Sequence, residues 1–243
     1  MLMIVEKQER TRLRNSMIEL LSLADVITLA NAVFGFLAIL FVLSGQLWFS
    51  AVFIFLGLLA DGLDGYVARY LGTGKIGEYF ESLADMLSLS VAPLLLLYVT
   101  FKDSFPNGGW QLPLFGAVLV FSLVCSFIRL SSFSLLKDSH FFLGLPTSVS
   151  ALFLVTLSVI QPALVIVVLV VVLLALAMIS PVRFPKPGLI LNGVTAALIL
   201  AVIILDGMLN KSAVYVLLVA LLLYCIAGPL YLLIQKRHYG KTT

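Results

Sequence analysis

The chain has 243 residues, 62% hydrophobic and only 11% charged, with a mean hydropathy of +1.16. This excludes a water-soluble globular domain, because its apolar runs of about twenty residues exceed what a soluble core helix needs and match the ~30 Å hydrocarbon thickness of a bilayer. The net charge of +3 is small; no nucleic-acid partner is expected, and where the charges fall says more than their sum.

Residues 1–22 form a first, mixed segment, with Lys7, Arg10, Arg12 and Arg14 beside Met17, Ile18, Leu20 and Leu21. An interfacial helix on the cytoplasmic leaflet fits this pattern, its cations near anionic headgroups; a solvated tail is the alternative. The segment has no short apolar core followed by a small-residue cleavage site, so no removed signal peptide is expected.

Eight candidate spans follow, at about 25–45, 48–70, 77–100, 112–134, 145–161, 162–181, 189–206 and 213–235. The breaks between them fall at Gly45-Gln46, Gly72-Thr73-Gly74, KDSFPNGG, KDSH, Gln161-Pro162, PVRFPKPG and Asp206 to Lys211. The Gln161-Pro162 break is the weakest, with no charge to hold it at a surface. The Val/Leu run at 164–175 reads as lipid-facing filler. Cys125 and Cys225 sit in apolar runs without metal or disulfide spacing and are expected to pack. The expected fold is therefore an all-α, polytopic transmembrane bundle, with a core over 23–187 and two additional spans in 188–243.

Loops on the cytoplasmic side should hold the excess of Lys and Arg. With the N-terminus inside, eight spans place Lys7, Arg10, Arg12, Arg14, Arg69, Lys75, Arg129, Lys137, Arg183, Lys186, Lys236, Arg237 and Lys241 there, leaving only Lys102 and Lys211 of the fifteen cations outside. Merging the fifth and sixth spans would scatter Arg183 and Lys186 to the other side. Both termini are expected in the cytoplasm.

Against this background, DGLDGYVARYLGTGKIGEYFESLAD (61–85) carries five of the twelve acidic residues: Asp61, Asp64, Glu78, Glu81 and Asp85. In an antiparallel hairpin of the second and third spans, Asp61 and Asp85 each lie eight residues, about 12 Å, from the connecting loop. Asp61/Asp64 share a helix face at i,i+3 and Glu81/Asp85 at i,i+4, so four carboxylates converge. Such a cluster is costly in a bilayer and marks function. Lys and Arg are too few to neutralise it, whereas hard divalent cations prefer carboxylate oxygen; magnesium, manganese or calcium is the natural partner, with ligands enough for two ions. Gly65, Ala68 and Gly77 leave room for backbone or ligand to approach. A metal site open to the cytoplasm suits a diphosphate substrate. Carboxylates that pair internally, or that line an ion pathway, are the other readings; outside the hairpin the membrane carboxylates reduce to Asp25 and Asp206, both near span ends.

The pattern Asp-x2-Asp-Gly-x2-Ala-Arg, seven residues, then Gly-x3-carboxylate-x3-Asp resembles the signature of the CDP-alcohol phosphatidyltransferases, fixing Asp61, Asp64, Gly65, Ala68, Arg69, Gly77 and Asp85. TLANAVFGFLAI, ESLADMLSLSVAPLLLLY, FIRLSSF, FFLGLPTS and VRFPKP are similar to the phosphatidylserine synthase branch, including archaetidylserine synthases. The resemblance implies attack of the L-serine hydroxyl on the β-phosphorus of CDP-diacylglycerol or CDP-archaeol, releasing CMP. It implies metal ligation by Asp61, Asp64, Glu81 and Asp85, with Asp85 also the general base. It implies a CDP-lipid site at Asp61, Gly65, Ala68, Arg69 and Thr73, an acceptor pocket near Arg129, Lys137 and Arg183, and a homodimer. Two positions depart from the pattern: Glu81 stands where Asp is usual, and RLSSFS lacks a second Arg after Arg129. Glycerol-3-phosphate and inositol phosphate remain alternative acceptors, and a catalytically inactive relative is the alternative to an enzyme.

Overall fold

The computed structural model describes residues 21–71, 76–105, 109–132, 141–205 and 211–239. The interfacial segment expected over 1–22 therefore lies almost wholly outside the described residues, as do Thr73, Lys137 and Asp206. Eight helices occur among the described residues, each at one of the expected spans. They are α1 (Leu23–Leu43), α2 (Leu47–Leu71), α3 (Gly77–Ser104), α4 (Gln111–Ser131), α5 (Thr147–Ile160), α6 (Leu164–Met178), α7 (Leu189–Leu205) and α8 (Ser212–Tyr239). By length and composition α1 to α4 and α8 can each cross a membrane, whereas α5, α6 and α7 have only 14, 15 and 17 residues.

Local chemistry sets the ends. Asp25, close to the start of its span, belongs to a capping box: the Ser22 N–H donates to Asp25 Oδ2 at 2.7 Å and the Asp25 N–H to Ser22 Oγ at 3.3 Å, satisfying two donors at the α1 start. At the weak break Gln161 closes α5 in the left-handed region, φ 56°, with its N–H on the Leu157 carbonyl at 2.9 Å. The proline beside it cannot continue the helix, so a two-residue signal suffices. Between Asp85 and Ala92 the α3 backbone widens into a π-helical stretch, Met86–Val91. This is an inserted turn of the kind frequent at functional sites.

Helix α1 is inside-out relative to a helix of a soluble protein. On α1 the buried stripe is Ala24, Thr28, Asn31, Gly35 and Ala38, small or polar, and the exposed stripe is Leu23, Val26, Leu29, Val33 and Phe36. Small residues let helices close in where lipid already solvates the large apolar ones. An added Cβ on Gly35 would lie 2.6 Å from the Ser88 Cα in the π stretch of α3, so only glycine allows that approach. The most extensive pairing is α1 with α2, and α3 also packs on α1; α5 packs on α3, α6 on α4, and α8 on α5 and α7. The 164–175 run is not lipid-facing filler throughout. Val167, Val171, Leu174 and Ala175 form a buried stripe at helical spacing, because α4 covers that side.

Two short strands were not expected. β1 (Phe141–Leu143) and β2 (Arg183–Pro185) pair antiparallel in the register Phe141↔Pro185, Phe142↔Phe184, Leu143↔Arg183. Gly144 follows at φ +75°, its N–H on the Val182 carbonyl at 2.8 Å, and a side chain there would run into the Met178 carbonyl. The strands join the loops after α4 and α6 at one end of the bundle.

Candidate active site

The α2–α3 hairpin brings its carboxylates together as their spacing requires. The Asp61 and Asp85 side chains come close to one another, with Glu81 near enough for its charge to act on Asp61, Asp64 and Asp85. Asp64 and Asp85 are buried, Asp61 and Glu81 partly so. Glu78 lies exposed in the first turn of α3.

Helix α1, to which no site residue was assigned, orients two of them. Thr28 Oγ1 donates to Asp64 Oδ2 at 2.6 Å, and Asn31 Nδ2 donates to Asp85 Oδ1 at 3.0 Å. Residues 28 and 31 share a face of α1, and Gly57 on α2 leaves room for Asn31: an added Cβ there would stand 3.0 Å from Asn31 Oδ1. That oxygen is buried with no hydrogen-bond partner among the described residues.

Asp61, Glu81 and Asp85 form one wall of a cleft of about 110 Å³, and Arg129, Phe142 and Thr147 line it as well. Arg129 comes from the last turn of α4, Phe142 from β1 and Thr147 from the first turn of α5. Ser148 is also at the cleft, and no side chain caps the α5 N-terminus. First-turn N–H groups there lack helical partners and favour an anion. Thr147 and Ser148 lie in FFLGLPTS, but nothing in that stretch distinguishes them from ordinary helix-start residues.

The other expected residues fall as follows. Gly65 is exposed, and an added Cβ would meet nothing within 4 Å, so no packing among the described residues demands the glycine. Ala68 is half-buried and Arg69 continues α2. Arg183 is not among the residues lining the cleft. Strand alternation turns its neighbour Phe184 inward and leaves Arg183 exposed, its guanidinium 4.5 Å from the centre of the Phe141 ring.

The donor set is all oxygen, four carboxylates with the unpartnered Asn31 Oδ1 beside them, which fits a hard divalent cation. As the side chains stand, no three acidic groups among the described residues converge on one coordination point. The Asp61–Asp85 contact would have to open for an ion to be held by all of them.

The sequence profile of the CDP-alcohol phosphatidyltransferases matches residues 21–236, all but the two ends of the chain. The chain belongs to this family. The CDP-alcohol phosphatidyltransferase match runs past residue 187, through α7 and most of α8. Among relatives, a CDP-diacylglycerol–serine O-phosphatidyltransferase of Methanocaldococcus jannaschii is 33% identical over 169 residues, 69% of this chain and 76% of that protein. An archaetidylserine synthase of Methanothermobacter thermautotrophicus is 35% identical over 136 residues, 54% of this chain and 55% of that one. A CDP-diacylglycerol–serine O-phosphatidyltransferase of Bacillus subtilis is 31% identical over 136 residues, 55% of this chain and 73% of that one.

Proposed function

We propose that the chain transfers a phosphatidyl or archaetidyl group from a CDP-lipid to the hydroxyl of L-serine, releasing CMP. The observation that carries this reading is the cleft itself, in which the Asp61, Glu81 and Asp85 wall shares a small space with Arg129 in a chain whose relatives are named for serine transfer. Magnesium or manganese, held by Asp61, Asp64, Glu81 and Asp85, would neutralise the diphosphate and polarise its phosphorus. Thr28 and Asn31 aim Asp64 and Asp85 before substrate arrives. Asp85 takes the serine hydroxyl proton as the serine oxygen bonds to the β-phosphorus and the bond from that phosphorus to the bridging oxygen breaks, CMP leaving with the bridging oxygen. Arg129 pairs with the serine carboxylate in a charge-assisted contact. The open side of Gly65, with Ala68, Arg69 and Thr73 beyond it, receives the cytidine diphosphate.

The site faces the cytoplasm in this reading, supported by the placement of thirteen of the fifteen cations on that side. A homodimer, to be weighed by light scattering of the solubilised protein, follows from the family resemblance alone.

The test is CMP release by purified protein given a CDP-lipid and manganese, with L-serine, glycerol-3-phosphate, inositol phosphate or no acceptor. Serine-dependent release that a chelator abolishes and manganese restores is the expected result. Full turnover under chelation defeats the metal-dependent reading, and release with another acceptor alone moves the substrate. Activity that appears only in Glu81→Asp identifies a lapsed site.

A further inference from the structure

The carboxylate motif does not reach α8, yet one side chain of that helix holds the strand that pairs with a wall of the cleft. The Tyr224 hydroxyl donates to the Pro185 carbonyl oxygen at 3.1 Å, and its ring stacks on Phe184 with centroids 6.1 Å apart. One turn on, Gly228 lies so close to β2 that an added Cβ would stand 2.9 Å from Pro185 Cδ. Helix α8 is thus pressed against the strand at two successive turns.

β2 carries this contact to the cleft. Its register sets Phe184 opposite Phe142 of β1, and Phe142 lines the cleft. Lys186, which follows β2, places its Nζ 5.1 Å from the centre of the Phe142 ring, a second tie between strand and cleft wall. The Tyr224 hydroxyl is also within electrostatic reach of Arg129, another lining residue. A tyrosine serving only as a membrane-interface anchor would present its hydroxyl to headgroups and water. Tyr224 is half-buried and gives its hydrogen bond to the strand instead.

We propose that Tyr224 is a positioning residue for the acceptor alcohol: it fixes β2 and, through the strand pairing, Phe142 in the cleft wall. The last helix then shapes the acceptor side of the cleft and leaves the carboxylate side to α1, α2 and α3. This rests on the acceptor reading of Arg129 given above.

Tyr224→Phe keeps the ring and removes the hydroxyl. In the full-length protein the expected result is a rise of about fivefold in the KM for L-serine with the KM for CDP-lipid unchanged, the thermal midpoint falling by no more than the loss of one internal hydrogen bond entails. Gly228→Ala, which pushes α8 off Pro185, should move the serine KM the same way. A Tyr224→Phe enzyme with wild-type constants overturns the proposal. So does one whose thermal midpoint and kcat fall while the serine KM holds, since that marks a structural role only. The wild type separates this from the functional reading: if it uses a different acceptor, serine transfer fails and the same split is read in that acceptor's KM. A wild type that turns over no acceptor overturns both.

Discussion

Asn31 is the residue on which the carboxylate site most depends outside the hairpin. Its amide holds Asp85 at 3.0 Å, and a hydrogen bond to a charged group is worth about 1.5–3 kcal/mol. Asn31→Leu, of similar size, should therefore lower kcat for CMP release about tenfold or more while the protein still extracts as a folded species. Unchanged kcat would remove Asn31 from the site. Thr28→Val should act in the same direction through Asp64. The four carboxylates were legible because i,i+3 and i,i+4 spacing turns a line of residues into a face, and charge in an apolar chain has few innocent explanations. Thr28 and Asn31 were not, since each is one neutral polar side chain in an apolar helix, 36 and 54 positions from its partner. The available signal was their own three-residue spacing along an otherwise apolar span. Arg183 stands outside the cleft lining for a related reason: a cation near a boundary says which side of the membrane it is on, but strand alternation decides which way it points.

At the level of elements, apolar runs and Gly/Pro breaks were enough to place the eight helices among the described residues, including the α5–α6 break carried by Gln161 and Pro162. The π stretch was not legible, because its hydrogen-bond pattern is set by what packs on it. The Gly35 contact with Ser88 shows how close that packing is. Gly35→Ala should destabilise the solubilised protein by about 1–3 kcal/mol, the range for overpacking a fitted interface. Gly116→Ala on α4, where an added Cβ meets nothing within 4 Å, is the control and should be neutral or slightly stabilising. Equal thermal midpoints for the two variants would mean that α1 and α3 are not pressed together at that point. The β1–β2 pairing also escaped the sequence, because two three-residue strands some forty positions apart carry no periodicity of their own. With it went the route by which α8 meets the cleft.

For the whole molecule, charge placement makes a claim about sidedness that packing does not. Lys102 is exposed in the short 3-10 turn that ends α3, and Arg183 is exposed at the end of the bundle where β1 and β2 meet. In intact cells a membrane-impermeant maleimide should label a Lys102→Cys variant and leave Arg183→Cys untouched until the membrane is opened. The reverse pattern would turn the protein over and put the cleft outside. The natural Cys125 and Cys225 lie within helices, buried and half-buried, and give little background. A further consequence follows from the unequal helix lengths. α5, α6 and α7, at 14, 15 and 17 residues, rise only about 21–26 Å, short of the ~30 Å hydrocarbon slab. The long helices α2 and α3 carry the acidic wall, whereas α5 begins at Thr147 and α6 runs toward β2. Where lipid meets the exposed faces of α6 and α7, hydrophobic mismatch is expected to thin the bilayer locally, drawing its polar surface toward that side of the bundle.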